Sequence, residues 1–67
     1  MIFVNGEPVQ TPARPTIRDV LVERGIDPDA AGIAVAVDAE VARRGVWQTR
    51  TLDDGARLEI VRAVQGG

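Results

Sequence analysis

A chain of 67 residues that contains neither cysteine nor histidine must fold without disulfides and without the side chains that most often bind structural metals. Conformational entropy opposes folding at every residue, so nearly every Ile, Val and Leu is needed in one shared core. The expectation is a single domain spanning residues 1–67, with little material left over for a deep substrate pocket.

The missing residue types narrow the function further. The chain has no Ser, Cys, His, Lys or Tyr, which removes the usual nucleophiles and the usual proton-transfer group near neutral pH. Four Thr hydroxyls and ten carboxylates remain. Paired carboxylates can act as acid and base only when their environments contrast, and here they are spread along polar faces and turns. We therefore expect no catalytic residue and no enzyme acting alone. A net charge of -2 with only two aromatic residues, Phe3 and Trp47, argues against nucleic acid, which demands a basic face and often stacking rings. Arg43-Arg44 is the only adjacent basic pair, and such pairs are usually solvated. Without lysine there is no Gly-rich phosphate loop carrying one, and no cofactor or metal site is expected. The longest weakly polar stretch, Ala30 to Val37, is too short to cross a bilayer, and no signal-peptide succession is present. The expected location is the cytoplasm.

Local signals order the chain. Ile2-Phe3-Val4, Asn5-Gly6 and Glu7-Pro8-Val9-Gln10 form the signature of a β-hairpin. Thr16 is placed to cap a helix, with Asp19 three residues on in capping-box position. Ile17, Val20 and Leu21 recur at i, i+3 and i+4 as one apolar stripe, while Arg18, Asp19 and Glu23 face away. Gly25 suits the left-handed residue that ends such a helix. Residues 26–32, with Asp27-Pro28-Asp29, read as a loop. Ile33-Ala34-Val35-Ala36-Val37 alternates large and small residues and should lie in the middle of a sheet. Asp38-Ala39-Glu40 is a tight connection to Val41-Ala42-Arg43. Residues 45–49 read as irregular, with Trp47 as a lid over the edge of the core. Asp54-Gly55 marks a turn, after which Arg57 to Val64 returns as a strand with Leu58 and Ile60 facing inward. One helix packed across a mixed sheet of four to five strands is an α+β architecture, with the first and last strands parallel at its centre.

The end of the sequence, Val64-Gln65-Gly66-Gly67, stands apart from this pattern. Two residues without Cβ can thread a narrow channel and let a second protein close around a bare carboxylate. Segment 64–67 is expected to be a flexible tail, either an ordinary frayed end or one that offers Gly67 for reaction with Gly66 giving access to it. Glu59, Val61 and Ala63 point away from the core, so Val61 and Ala63, with Val64 and Gln65, form a candidate docking surface for a partner. Because the chain has no lysine, lysine-linked chains of the protein itself are excluded, and its own N-terminal amine is the only alternative acceptor.

These residues resemble the ubiquitin-like β-grasp family and, within it, the sulfur carriers of thiamin biosynthesis. The likeness covers nearly the whole chain: Asn5-Gly6-Glu7, Thr16-Ile17 with Leu21, the 33–37 strand, and Val41-Ala42-Arg43 followed by Trp47 and Thr49. It continues through Leu52, Asp54-Gly55 and Leu58-Glu59-Ile60-Val61 to Ala63-Val64 and Gly66-Gly67. Two departures are visible, Ala56 where the family usually has Asp after Asp-Gly, and Ala42 where it usually has Pro. Both bear on local backbone. The resemblance implies a β-grasp fold and a carrier cycle. An adenylating enzyme related to ubiquitin-activating proteins would use ATP and Mg²⁺ to adenylate Gly67. Sulfur from cysteine, supplied by a donor such as a cysteine desulfurase and relayed as a persulfide, would replace AMP and leave a thiocarboxylate. Thiazole synthase would then take that sulfur.

Three other readings share the same features. A covalent protein modifier would join Gly67 to lysines of targets. The small subunit of molybdopterin synthase has the same fold and tail, but is generally longer. A binding module with an incidental tail would retain its activity when Gly66 and Gly67 are removed.

Overall fold

The first hairpin forms where the chain meets its own turn signal. Strand β1, Ile2–Val4, and strand β2, Glu7–Val9, pair antiparallel in the register Ile2 with Val9, Phe3 with Pro8 and Val4 with Glu7. Asn5 and Gly6 take φ of 50° and 84°, the left-handed pair whose twist matches that of the flanking strands. The computed structural model describes residues 1–63; the expected tail, 64–67, lies outside the described residues.

Helix α1, Ile17–Glu23, starts and stops on the expected residues. The Thr16 hydroxyl accepts the Asp19 amide at 3.0 Å, and the Asp19 carboxylate accepts the Thr16 amide at 2.9 Å, which completes the capping box. The next free amides, Ile17 and Arg18, donate to the carbonyls of Arg50 and Trp47 at 3.1 and 2.9 Å. At the other end Ile26 N–H reaches Leu21 and Gly25 N–H reaches Val22, at 2.8 and 3.0 Å, a Schellman closure that places Ile26 on the same apolar side as Leu21.

Strand β3, Ile33–Val37, strand β4, Glu40–Ala42, and strand β5, Arg57–Arg62, complete a mixed five-stranded sheet in the order β2-β1-β5-β3-β4. β5 runs parallel to β1 and antiparallel to β3, so the parallel pair at the centre is as expected. The placement of residues 33–37 in the middle is corrected: β3 lies one strand from the edge, and β5 takes the centre. β5, with six residues, offers one edge to β1 and the other to the whole of β3, and β3 gives its second edge to β4. The turn between β3 and β4 uses Asp38 and Ala39 at φ 49° and 70° without any glycine. Asp38 offsets that strain by accepting the Arg57 amide on its carboxylate at 2.9 Å and donating its own amide to the Arg57 carbonyl at 2.8 Å.

The core lies between α1 and one sheet face. Ile17, Val20 and Leu21 share a buried cluster with Ile2, Val4, Val35, Val37, Leu58 and Ile60, closed at its margins by Ile26, Ala42, Trp47, Leu52 and Ala56. The segment expected to be irregular carries a short 3-10 turn, Arg44–Val46. It delivers Trp47 to the core margin, 3% exposed, where the indole N–H donates to the Ala42 carbonyl at 2.8 Å. The lid reading of Trp47 holds. Arg43 and Arg44 are both exposed, as the solvated reading has it, and the Arg44 guanidinium also lies 4.6 Å above the Trp47 ring and donates to the carbonyls of Pro28 and Ala30. Ala56, the departure after Asp-Gly, is buried, and its amide still closes the turn onto the Asp53 carbonyl at 3.0 Å.

Candidate functional site

β5 carries the chain toward Gly66-Gly67, and both of its edges are held. On one side Phe3 pairs with Arg57 and Val4 with Leu58, after which β1 turns away. The Asn5 side chain takes over there: its Oδ1 accepts the Ile60 amide at 2.8 Å and its Nδ2 donates to the Ile60 carbonyl at 3.3 Å. A turn residue thus imitates a strand for two more positions. On the other side β3 pairs continuously from Val37 with Leu58 to Ile33 with Arg62, and the Ala63 amide then donates to the Gly32 carbonyl at 2.7 Å.

Alternation along β5 sorts its side chains as expected. Leu58 and Ile60 are buried, while Glu59, Val61 and Ala63 are exposed. Val61, 61% exposed, lies directly across from Ala34, and Val41, 82% exposed, directly across from Ala36. An apolar strip therefore crosses β5, β3 and β4 on the sheet face away from the helix. Glu59, opposite Ala36, interrupts it, and Arg57 lies to one side with its guanidinium 5.4 Å from the Phe3 ring. Of the expected docking residues, Val61 and Ala63 are on this face or at its end; Val64, Gln65, Gly66 and Gly67 lie outside the described residues. Ala34, Ala36 and Val41 were not picked out from sequence. The alternation of β3 puts its alanines on the face opposite Val35 and Val37, but only the register shows which residues they meet.

The six aspartates have structural partners rather than each other's carboxylates. Asp19 caps α1, Asp38 fastens a turn, Asp27 accepts the Asp29 amide, and Asp29 and Asp53 meet Arg18 and Arg14 at 3.5 and 3.6 Å. Asp54 is held below the ordinary 3.8 first by a hydrogen bond from the Met1 ammonium, 2.5 Å away, and then by that group's charge. This ion pair is exposed and lies in the loop before β5. Among the described residues no group of His, Cys, Asp or Glu side chains could hold a metal ion, and no helix is long and apolar enough to cross a membrane. A groove runs between residues 9–15 and the Val20, Val22 and Glu23 side of α1; it includes none of the apolar strip. What the described residues present is an exposed apolar strip on the outer sheet face, beside the strand that leads to the C-terminal segment.

Comparison with known proteins agrees with this geometry. The ThiS family pattern matches residues 1–67. The sulfur carrier protein ThiS of Thermus thermophilus is 34% identical over 67 residues, covering 100% of both chains. A crystal structure of the thiamine biosynthesis protein ThiS from Geobacter metallireducens superposes with a TM-score of 0.81 at 24% identity, over 98% of this chain and 97% of that one. A solution structure of a thiamine biosynthesis protein from the same organism gives 0.78 at 25% identity, over 98% and 86%. With the β-grasp fold in common and the match running from end to end, this chain belongs to the ThiS family of sulfur carrier proteins.

Proposed function

We propose that the chain carries sulfur for thiazole formation in thiamin biosynthesis, with Gly67 as the residue that is activated and sulfurated. The observation that carries this reading is the full-length match to a sulfur carrier, which covers 100% of this chain and so includes its Gly66-Gly67. A carboxylate resists nucleophilic attack because attack builds charge on an already anionic group, so it needs a leaving group. In the proposed cycle a Gly67 carboxylate oxygen attacks the α-phosphorus of ATP on an adenylating enzyme related to ubiquitin-activating proteins. Pyrophosphate leaves, with Mg²⁺ held by that enzyme. The outer sulfur of a persulfide, generated by a donor such as a cysteine desulfurase, attacks the acyl carbon and expels AMP. A second thiol then cleaves the acyl disulfide, leaving the sulfur on Gly67 as a thiocarboxylate. Thiazole synthase receives that sulfur.

In this reading the chain contributes no catalytic group, and its folded body is a handle. Val61 and Ala63, with Val64 and Gln65 beyond them and Ala34, Ala36 and Val41 beside them, dock it to the partners, and Gly66 gives the partner access to Gly67. Residues 64–67 fully extended reach about 13 Å at roughly 3.3 Å per residue, enough to enter an active site that the body cannot. Removal of Gly66 and Gly67 tests the reading. The shortened chain should unfold at the same denaturant concentration as the full chain but support no thiazole formation with the partner enzymes; full activity would contradict terminal chemistry.

A further inference from the structure

The β3–β5 ladder has one more rung than the strands themselves. Past the Ile33–Arg62 pair, the Ala63 amide donates to the Gly32 carbonyl at 2.7 Å. Gly32 has φ +80°, and the three nearest atoms to a Cβ placed there all belong to Ala63: its Cβ at 3.4 Å, its carbonyl oxygen at 3.6 Å and its nitrogen at 3.8 Å. The loop that carries Gly32 is itself braced. Pro28 is buried between exposed Asp27 and Asp29, and the Ala30 amide closes onto the Asp27 carbonyl at 3.1 Å. Arg44, seated on the buried Trp47 ring, donates to the Pro28 and Ala30 carbonyls, and Arg18 meets Asp29 at 3.5 Å. A continuous set of contacts therefore leads from the core through Trp47, Arg44 and this loop to Gly32, and from Gly32 to Ala63.

We propose that Gly32 is a positioning residue for the chemistry at Gly67: by clipping Ala63 to the sheet it makes the reacting segment begin at residue 64. This rests on the carrier reading given above. A backbone that is loose before binding has to be ordered when it threads a partner's active site, and each such residue weakens the encounter. The clip removes that cost at Ala63 before the partner arrives. Gly32 does not touch the acyl carbon, so losing the clip raises KM for the carrier and leaves kcat unchanged.

The test compares Gly32→Val, whose β-branched side chain resists a positive φ, with Gly32→Asn, which tolerates it and brings its Cβ to ordinary contact distance. Carrier-dependent ATP–pyrophosphate exchange is measured with the cognate adenylating enzyme, ATP and Mg²⁺, alongside amide hydrogen exchange of the free chain. For Gly32→Val, KM should rise about tenfold at constant kcat, with protection lost at the Ala63 amide and kept at Leu58 and Ile60. Gly32→Asn should stay within about twofold of the parent. An unchanged KM in Gly32→Val overturns the proposal, and so does an equal rise in both variants or a loss of protection along all of β5. If the parent chain is not adenylated at all, the carrier reading falls and the positioning role with it. Parent turnover with an unaffected Gly32→Val overturns the positioning role alone.

Discussion

At the scale of single residues, Asn5 has two functions in this fold. Its left-handed backbone makes the β1–β2 turn, and its side chain exchanges two hydrogen bonds with the Ile60 backbone. Glycine can replace the first function but not the second. We expect Asn5→Gly to keep the hairpin and to lose about 1–3 kcal/mol of unfolding free energy in urea, because the Ile60 amide and carbonyl lose their partners. Unchanged stability would show that water replaces the side chain without cost. The Asn-Gly pair was legible in sequence as a turn, since its signal is local. Its grip on Ile60 was not, because that contact spans 55 positions and depends on where β5 lies. Arg44 gives the same lesson: adjacent arginines read as solvent-facing and are exposed, but only the fold brings the Trp47 ring and two loop carbonyls under one of them.

Elements divide along the same line. The helix was legible to the residue at its cap, because Thr16 and Asp19 interact across three positions and the stripe Ile17, Val20 and Leu21 is a property of one turn. The parallel pairing of β1 with β5 followed from crossover rules. The order of β3 and β5 did not follow from their composition, since apolar alternation says that a strand is covered, not which neighbours cover it. The apolar strip on the outer face is a product of that register. Val41 belongs to β4 and Val61 to β5, and Ala34 and Ala36 of β3 connect them. Both valines are exposed, so charging them should spare the fold and harm the docking. We expect Val41→Glu and Val61→Glu to change unfolding free energy by about 0.5 kcal/mol or less. Each should weaken binding to the adenylating enzyme about tenfold or more in titration calorimetry, as loss of a central apolar contact does. Unaltered affinity in both variants would remove this face from the interface.

For the whole molecule, the proposed role makes the fold a means of presenting one carboxylate. A chain without Ser, Cys, His, Lys or Tyr lacks the usual side-chain nucleophiles that capture an activated acyl group, and the given sequence ends in two residues without side chains. The ThiS fold, the gripped central strand and the apolar strip beside the chain's exit are consistent with a carrier whose reactions are performed by others. The most direct measurement is the intact mass of the chain after incubation with its adenylating enzyme, ATP, Mg²⁺ and a persulfide sulfur source. The proposed sulfuration predicts an increase of about 16 Da, oxygen replaced by sulfur, located by fragmentation at Gly67. An unchanged mass with a competent enzyme, or Gly-Gly remnants on target lysines without any thiocarboxylate, would contradict it.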